Sequence, residues 1–161
     1  MRFRAAMAWL ALVVLAGSAA AGAQQPATNP AQRTVSLTVG DPINGKMSYS
    51  ISEIVAKPGE RLRVSLVSVG QMPKAVMGHN WVLLKLGVDP KAFTDDAAFA
   101  RETDFIPPKR KAQILVHTEL IGPGERVEVT LTAPKAPGQY PYVCTFPNHF
   151  AAGMAGVLVV K

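Results

Sequence analysis

"ERVEVTLTAPKAPGQYPYVCTF", residues 125–146, reads as two strands and the reversal that joins them. Val127, Val129 and Leu131 alternate with Glu128, Thr130 and Thr132, a period of two that turns one face to a core and the other to water. "APKAPGQ" supplies proline and glycine for a tight reversal, and "QYPYVCT" resumes an extended run. The rhythm recurs outward from there. Val35, Leu37 and Val39 alternate with Thr34, Ser36 and Thr38, and Leu62, Val64 and Leu66 alternate with Arg61, Arg63 and Ser65. "GDPING", "AKPGE" and "GPGE" mark further turns, and "MSYSISEIV", "NWVLLKL", "AQILVHT" and "AGVLVVK" complete a set of about eight strands. Such a set predicts an all-β chain folded as a Greek-key antiparallel β-sandwich. One segment departs from it: in "DPKAFTDDAAFARETDF", Asp89 can cap, Pro90 suits a first helical position, and Phe93, Ala97 and Ala100 recur at helical spacing. It predicts a short helical insertion.

The chain begins with a different grammar. Arg2 and Arg4 precede the apolar run "AAMAWLALVVLAG", and the small residues of "SAAAGAQ" suit cleavage after Ala23, so residues 1–23 read as a secretory signal peptide. The run is shorter than the roughly 20 residues a membrane span needs; a retained anchor is the alternative reading. Polar, proline-bearing residues 24–33 read as a flexible leader and residues 34–161 as one domain. Export implies a periplasmic protein with no stable membrane insertion once the signal is removed. Loss of Arg2 and Arg4 lowers the formal net charge from +6 by two, to +4. No basic tract interleaves with aromatics, and "PPKRK" at 107–111 reads as a solvated turn, so no nucleic-acid partner is expected.

One cysteine cannot close an intrachain disulfide, yet Cys144 is exported into a compartment where thiols oxidise. A lone cysteine is most often a small buried hydrophobe; its company here argues otherwise. Cys144, His149 and Met154 fall within eleven residues, on a loop able to turn all three to one point. His79, in "VMGHNWVLL", stands at the start of an apolar strand. Two imidazoles, a thiolate and a thioether make the His₂Cys set with a weak axial methionine that blue-copper sites use. Sulfur suits Cu(I) and imidazole serves Cu(II), so one ligand set tolerates both oxidation states. Copper would also keep the thiol deprotonated and shield it from oxidation.

"MGHNWVL", "HTELIGPGE" and "YPYVCTFPNH" closely resemble the azurin-like blue (type 1) copper proteins of the cupredoxin family, over about residues 34–161. The resemblance implies His79, Cys144 and His149 as equatorial copper ligands, Met154 as a distant axial ligand, and the Gly78 backbone carbonyl on the opposite axial side. It further implies that Asn80 hydrogen-bonds the two ligand-bearing loops together, and that the His149 edge reaches the surface through an apolar docking patch of Met77, Pro147, Phe150, Ala151 and Ala152. The implied function is that of a soluble periplasmic electron carrier. It would pass one electron through a single Cu(I)/Cu(II) ion to redox partners such as c-type cytochromes or periplasmic oxidoreductases, without substrate turnover. Two features depart from azurins. "FAAG" puts four residues between His149 and Met154 instead of three, a spacing similar to auracyanin or rusticyanin, and the disulfide near the start of the azurin domain has no cysteines here.

Other readings of these residues differ in class. A periplasmic copper chaperone or storage protein would need a site open enough to hand over its ion. A thiol hydrolase on Cys144 would need a base and an orienting third group, for which the sequence offers no recognisable context. Zinc prefers four good ligands, and a thioether is a poor one. A binuclear copper centre needs two bridging cysteines and is excluded. His117 is expected to be structural or solvent-facing rather than a ligand, Trp81 is expected in the core, and Met47, Met72 and Met77 are too scattered for a methionine-rich transport site.

Overall fold

The computed structural model describes residues 32–42 and 45–161; the signal peptide expected at 1–23 and most of the leader expected at 24–33 lie outside the described residues. The described residues form eight strands: β1 (Arg33–Val39), β2 (Glu53–Ala56), β3 (Arg61–Ser68), β4 (Val82–Leu84), β5 (Ile114–His117), β6 (Arg126–Thr132), β7 (Gly138–Val143) and β8 (Ala155–Val160). They form two sheets, one ordered β1-β3-β6 and the other β2-β8-β7-β4-β5. A sandwich results, as the alternation predicts. Val35, Leu37, Leu62, Val64 and Leu66 are buried between the sheets as the alternation predicts, whereas Val127 and Val129 are half-buried and Ser65, of opposite parity, is buried too.

The strand pairing is mixed. β3–β6, β4–β5, β4–β7 and β7–β8 are antiparallel, whereas β1–β3 and β2–β8 are parallel. The chain alternates between sheets at its start, and two reversals with β2 on the far sheet return it to β1 in its original direction. The second reversal is a tight turn at 57–60, where Glu60 N–H bonds the Lys57 carbonyl at 3.0 Å and Gly59 takes φ +77°, a left-handed value that glycine adopts without strain. Alternation alone cannot specify such pairing, because it records which face is apolar and not which neighbour runs beside it. The strand expected in "MSYSISEIV" also shortens to Glu53–Ala56. Upstream of it Ser50 binds β1 instead, through Thr38 N–H to its hydroxyl and its own N–H to the Thr38 carbonyl, at 2.9 and 3.0 Å.

The five-stranded sheet is buried on both faces where it matters. Trp81, Leu83, Tyr142 and Cys144 point into the sandwich, while Val82, Leu84 and Val143, of opposite parity, join Phe93 in a second cluster outside it. That cluster is capped by the insertion. Its helix α2 (Pro90–Ala97; α1 is the single turn Lys74–Met77) starts with Asp89 accepting the Lys91 N–H at 2.9 Å and buries Phe93 and Ala97 one turn apart. "PPKRK" forms part of a 3₁₀ helix over Pro108–Gln113 rather than a plain turn. Lys109 and Arg110 both pair with Asp96 of α2, the lysine at 2.8 Å, which clamps this run to the helix.

The closest packing in the second sheet lies beside β7. A Cβ at Gly156 would overlap Cζ and Oη of Tyr142, whose hydroxyl donates to the Ile51 carbonyl at 2.6 Å and whose ring meets Trp81 at 5.5 Å and Tyr49 at 5.4 Å. Gly156→Ala therefore displaces a ring wedged among two others. The substitution should lower stability by about 2–3 kcal/mol, seen as a lower urea midpoint with an unchanged denaturant slope.

Candidate metal centre

His79 is held by two backbone bonds before its side chain is considered. Its N–H donates to the Ile121 carbonyl at 2.9 Å and its carbonyl accepts from Ile121 N–H at 2.8 Å, an isolated bridge just ahead of β4. Two residues on, Trp81 N–H donates to the Thr118 hydroxyl and Thr118 N–H to the Trp81 carbonyl, at 2.9 and 3.0 Å. A Cβ at Gly78 would come within 2.8 Å of both Leu120 Cδ2 and the Lys74 carbonyl. Only glycine allows the chain this close as it enters β4.

Cys144 follows β7, and the next ten residues fold back on themselves. His149 N–H bonds the Phe146 carbonyl (3.1 Å), Ala152 N–H that of Asn148 (3.0 Å), Gly153 N–H that of Phe150 (2.9 Å) and Met154 N–H that of His149 (2.9 Å). Asn148 turns the chain with φ +68°, a conformation asparagine tolerates better than most residues. Cys144 N–H then reaches the Met154 carbonyl at 3.2 Å. The four residues between His149 and Met154 are thus taken up in a closed turn, and Met154 is fully buried in the same core cluster as Cys144.

Asn80 joins the two segments. Its Nδ2 donates to Thr145 Oγ1 at 2.7 Å and its Oδ1 accepts Thr145 N–H at 2.9 Å, both buried. Its carbonyl accepts the buried Tyr49 hydroxyl at 2.6 Å. The residue after His79 is therefore tied to the residue after Cys144, which fixes one loop relative to the other.

Between these segments the ligating atoms of His79, Cys144 and His149 lie within 4.8 Å of one another, all three buried. Cys144 Sγ is 3.4 Å from His149 Nδ1, and the imidazole centroids are 5.0 Å apart. Burial disfavours charge on each group. It lowers the pKa values of both histidines from 6.5 to about 4, with the His79 ring adding to the effect at His149. It raises the Cys144 thiol to about 11, against the opposing pull of the Asn80 and Phe146 backbone N–H groups on its sulfur. Neither ring nitrogen of His79 has a hydrogen-bond partner. Leaving such a group buried costs about 1–3 kcal/mol, a cost a bound cation would offset. Neutral imidazoles and a dry thiol fit a soft-to-borderline metal.

The expected docking residues divide between two places. Met77, Pro147 and Ala152 line a groove of about 410 Å³ together with His149, Met47, Val76 and Phe146. Phe150 and Ala151 face a separate groove of about 220 Å³ against Lys91, Thr94, Asp95 and Ala98 of the insertion, with Phe150 packed on the Phe93 cluster. Val76, 56% exposed beside His149, escaped the sequence reading because an apolar residue in a single helical turn has no periodicity to mark it. Thr118, Thr145 and Tyr49 escaped it too, since their partners are distant in sequence. His117 is exposed, with Nδ1 3.0 Å from the Thr118 carbonyl, and Trp81 is in the core.

The family model described as "Copper binding proteins, plastocyanin/azurin family" matches residues 34–161. Azurin-1 of Alcaligenes xylosoxydans xylosoxydans is 40% identical over 118 residues, covering 71% of this chain and 90% of that protein. Azurin of Pseudomonas aeruginosa is 37% identical over 121 residues, covering 73% and 80% respectively. Among solved structures, dithionite-reduced auracyanin from Roseiflexus castenholzii superposes with a TM-score of 0.67 at 32% identity, covering 80% of this chain and 96% of that one. The fold, the buried His79, Cys144 and His149 cluster and these likenesses agree: the chain belongs to the plastocyanin/azurin family of copper-binding proteins.

Proposed function

We propose that this protein is a periplasmic one-electron carrier in which His79, Cys144, His149 and Met154, with the Gly78 backbone carbonyl as a weak further ligand, would hold one copper ion. The observation that carries the reading is the meeting of two imidazoles and a thiol, all buried, within 4.8 Å. Copper bound there supplies a Cu(I)/Cu(II) couple. The protein's part is to keep the ligand positions alike in both states. The Asn80–Thr145 pair ties the two ligand-bearing loops, the Ile121 bridge fixes His79, and the tight turn fixes His149 relative to Met154. Burial of all three groups would leave an ion held there little access to water, unlike a catalytic metal site with an open position.

His149 is only 4% exposed, yet it lines the 410 Å³ groove. An apolar surface at that point suits brief docking of a redox partner, because weak electron-transfer encounters use small interfaces. Export on the residue 1–23 signal would put the carrier among periplasmic partners such as c-type cytochromes or oxidoreductases. No helix among the described residues is long and apolar enough to cross a membrane. Enclosure of the site and its double anchoring weigh against a chaperone or storage role, which requires easy release of the ion.

Adding Cu(II) to the metal-free protein should give an intense blue absorption that bleaches on reduction and returns on oxidation, and Cys144→Ser should abolish it. A colourless product in the unaltered chain overturns the reading, and rapid surrender of Cu(I) to a competing apo-protein transfers it to the chaperone class.

Val76→Glu should slow electron exchange with a partner about three- to tenfold and leave the visible spectrum in place; an unchanged rate in stopped-flow mixing removes the groove from the docking surface.

The acid–base behaviour of the metal-free protein follows from the burial of its ligands. Between about pH 6.5 and 4 the unfolded chain binds more protons at His79 and His149 than the folded one does. Stability should therefore fall as pH drops through that window, by up to about 1.4 kcal/mol per pH unit for each histidine. Between pH 9 and 11 the folded chain retains the Cys144 proton longer, so stability falls again as pH rises. Urea midpoints should plateau between these windows. At pH 7 the histidines are already neutral and only the thiol must ionise, so copper loading should release about one proton per ion, measurable by calorimetry in buffers of different ionisation enthalpy.

A further inference from the structure

The helical insertion ends in an unusual way. After the 3₁₀ turn Arg101–Thr103, Asp104 and Phe105 both adopt left-handed backbone, with φ +50° and +62°. A bulky side chain rarely takes this conformation, and such strain persists only where surrounding contacts over-determine it. The contacts are present. Asp104 N–H bonds the Arg101 carbonyl (3.2 Å), Phe105 N–H that of Ala100 (2.9 Å) and Ile106 N–H that of Thr103 (3.0 Å), while the Thr103 hydroxyl donates to the Ile106 carbonyl (2.7 Å).

The strained pair turns the Phe105 ring inward, where it is 8% exposed and meets Phe146 edge-on at 5.0 Å between centroids. Phe146 in turn lies 4.7 Å from the His149 ring, tilted by 37°. Phe146 has space to move, since it lines the 410 Å³ groove on the His149 side and a groove of about 390 Å³ on the Phe105 side. A glycine or asparagine at position 105 would suit the backbone better and would leave Phe146 without its aromatic neighbour.

We propose that Phe105 is a positioning residue: the insertion presents its ring so that Phe146 is held against His149, and the imidazole keeps one orientation with or without metal. The metal consequences rest on the single-copper reading above; the restraint on His149 does not. The insertion, which supplies no ligand itself, thereby becomes part of the site's rigidity.

The test compares Phe105→Ala, Phe105→Leu and Phe105→Tyr with Phe93→Leu, which loosens the insertion's own core without touching the stack. In the metal-free protein, nuclear relaxation of the His149 ring reports its mobility; in the copper-loaded protein, the rate of copper loss to a chelator reports the same restraint. Phe105→Ala and Phe105→Leu should broaden the His149 resonances and speed copper loss roughly two- to tenfold, the factor expected from one edge-to-face aromatic contact. Phe105→Tyr and Phe93→Leu should leave both near the native values. If Phe105→Ala unfolds, Phe105→Leu, which keeps bulk and loses the ring, carries the comparison. Native mobility in the ring-deleted variants, or equal loosening by Phe93→Leu, overturns the proposal. A protein that never turns blue refutes the copper reading, and the metal-free relaxation data still decide the role of Phe105.

Discussion

Two imidazoles and a thiol are withdrawn from water into one place, and the rest of the structure answers to that withdrawal. Burial makes charge on any of the three unfavourable, and His79 enters the core with neither nitrogen paired. A site of this kind has little intrinsic tendency to assemble, since each group would gain by returning to solvent. It exists because backbone bonds with no stake in the side-chain chemistry fix the chain on either side. His79 is set by its bridge to Ile121 and Cys144 by its N–H bond to the Met154 carbonyl. Asn80 and Thr145 then lock one segment to the other through two buried hydrogen bonds.

The parity of the second sheet explains how Cys144 lies in the core while the residue before it, Val143, packs under the insertion. Successive side chains of a strand point to opposite faces, so Tyr142 and Cys144 enter the sandwich while Val143 enters the cluster under α2. Covering the outer face with Phe93 gives β4 and β7 apolar burial on both sides, which an uncovered antiparallel sheet would lack. The insertion is therefore less an ornament on the sandwich than a third layer beneath the strand that leads into Cys144. Its far end returns to the site through Phe105 and Phe146.

Much of this was legible in the residues and some was not, for physical reasons. Leu62, Val64 and Leu66 announced a half-buried strand because alternation is a local property of the pleat, and Asp89-Pro90 announced a helix start because capping is local too. Cys144, His149 and Met154 stood out because a lone thiol among other soft or borderline donors is unusual in a sequence that reads as exported. The parallel β1–β3 and β2–β8 pairs were invisible, since they depend on where the chain returns after crossing between sheets. The division of the apolar patch was equally hidden: Phe150 is adjacent to His149 in sequence, yet a helix some fifty residues earlier claims its ring.

That division bears on how an electron would leave. Neighbours in sequence need not be neighbours at a docking surface, and here the loop after His149 spends one aromatic side chain on holding the insertion rather than on meeting a partner. The face left open beside His149 is built instead from Val76, Met77, Pro147 and Ala152, small or flexible groups with no charge to orient a partner at close range. In the proposed carrier, long-range steering would fall to the net positive charge of the chain, while the groove would offer apolar contact. A carrier must release its partner as readily as it binds, and a surface that separated steering from contact would meet that requirement without any moving part.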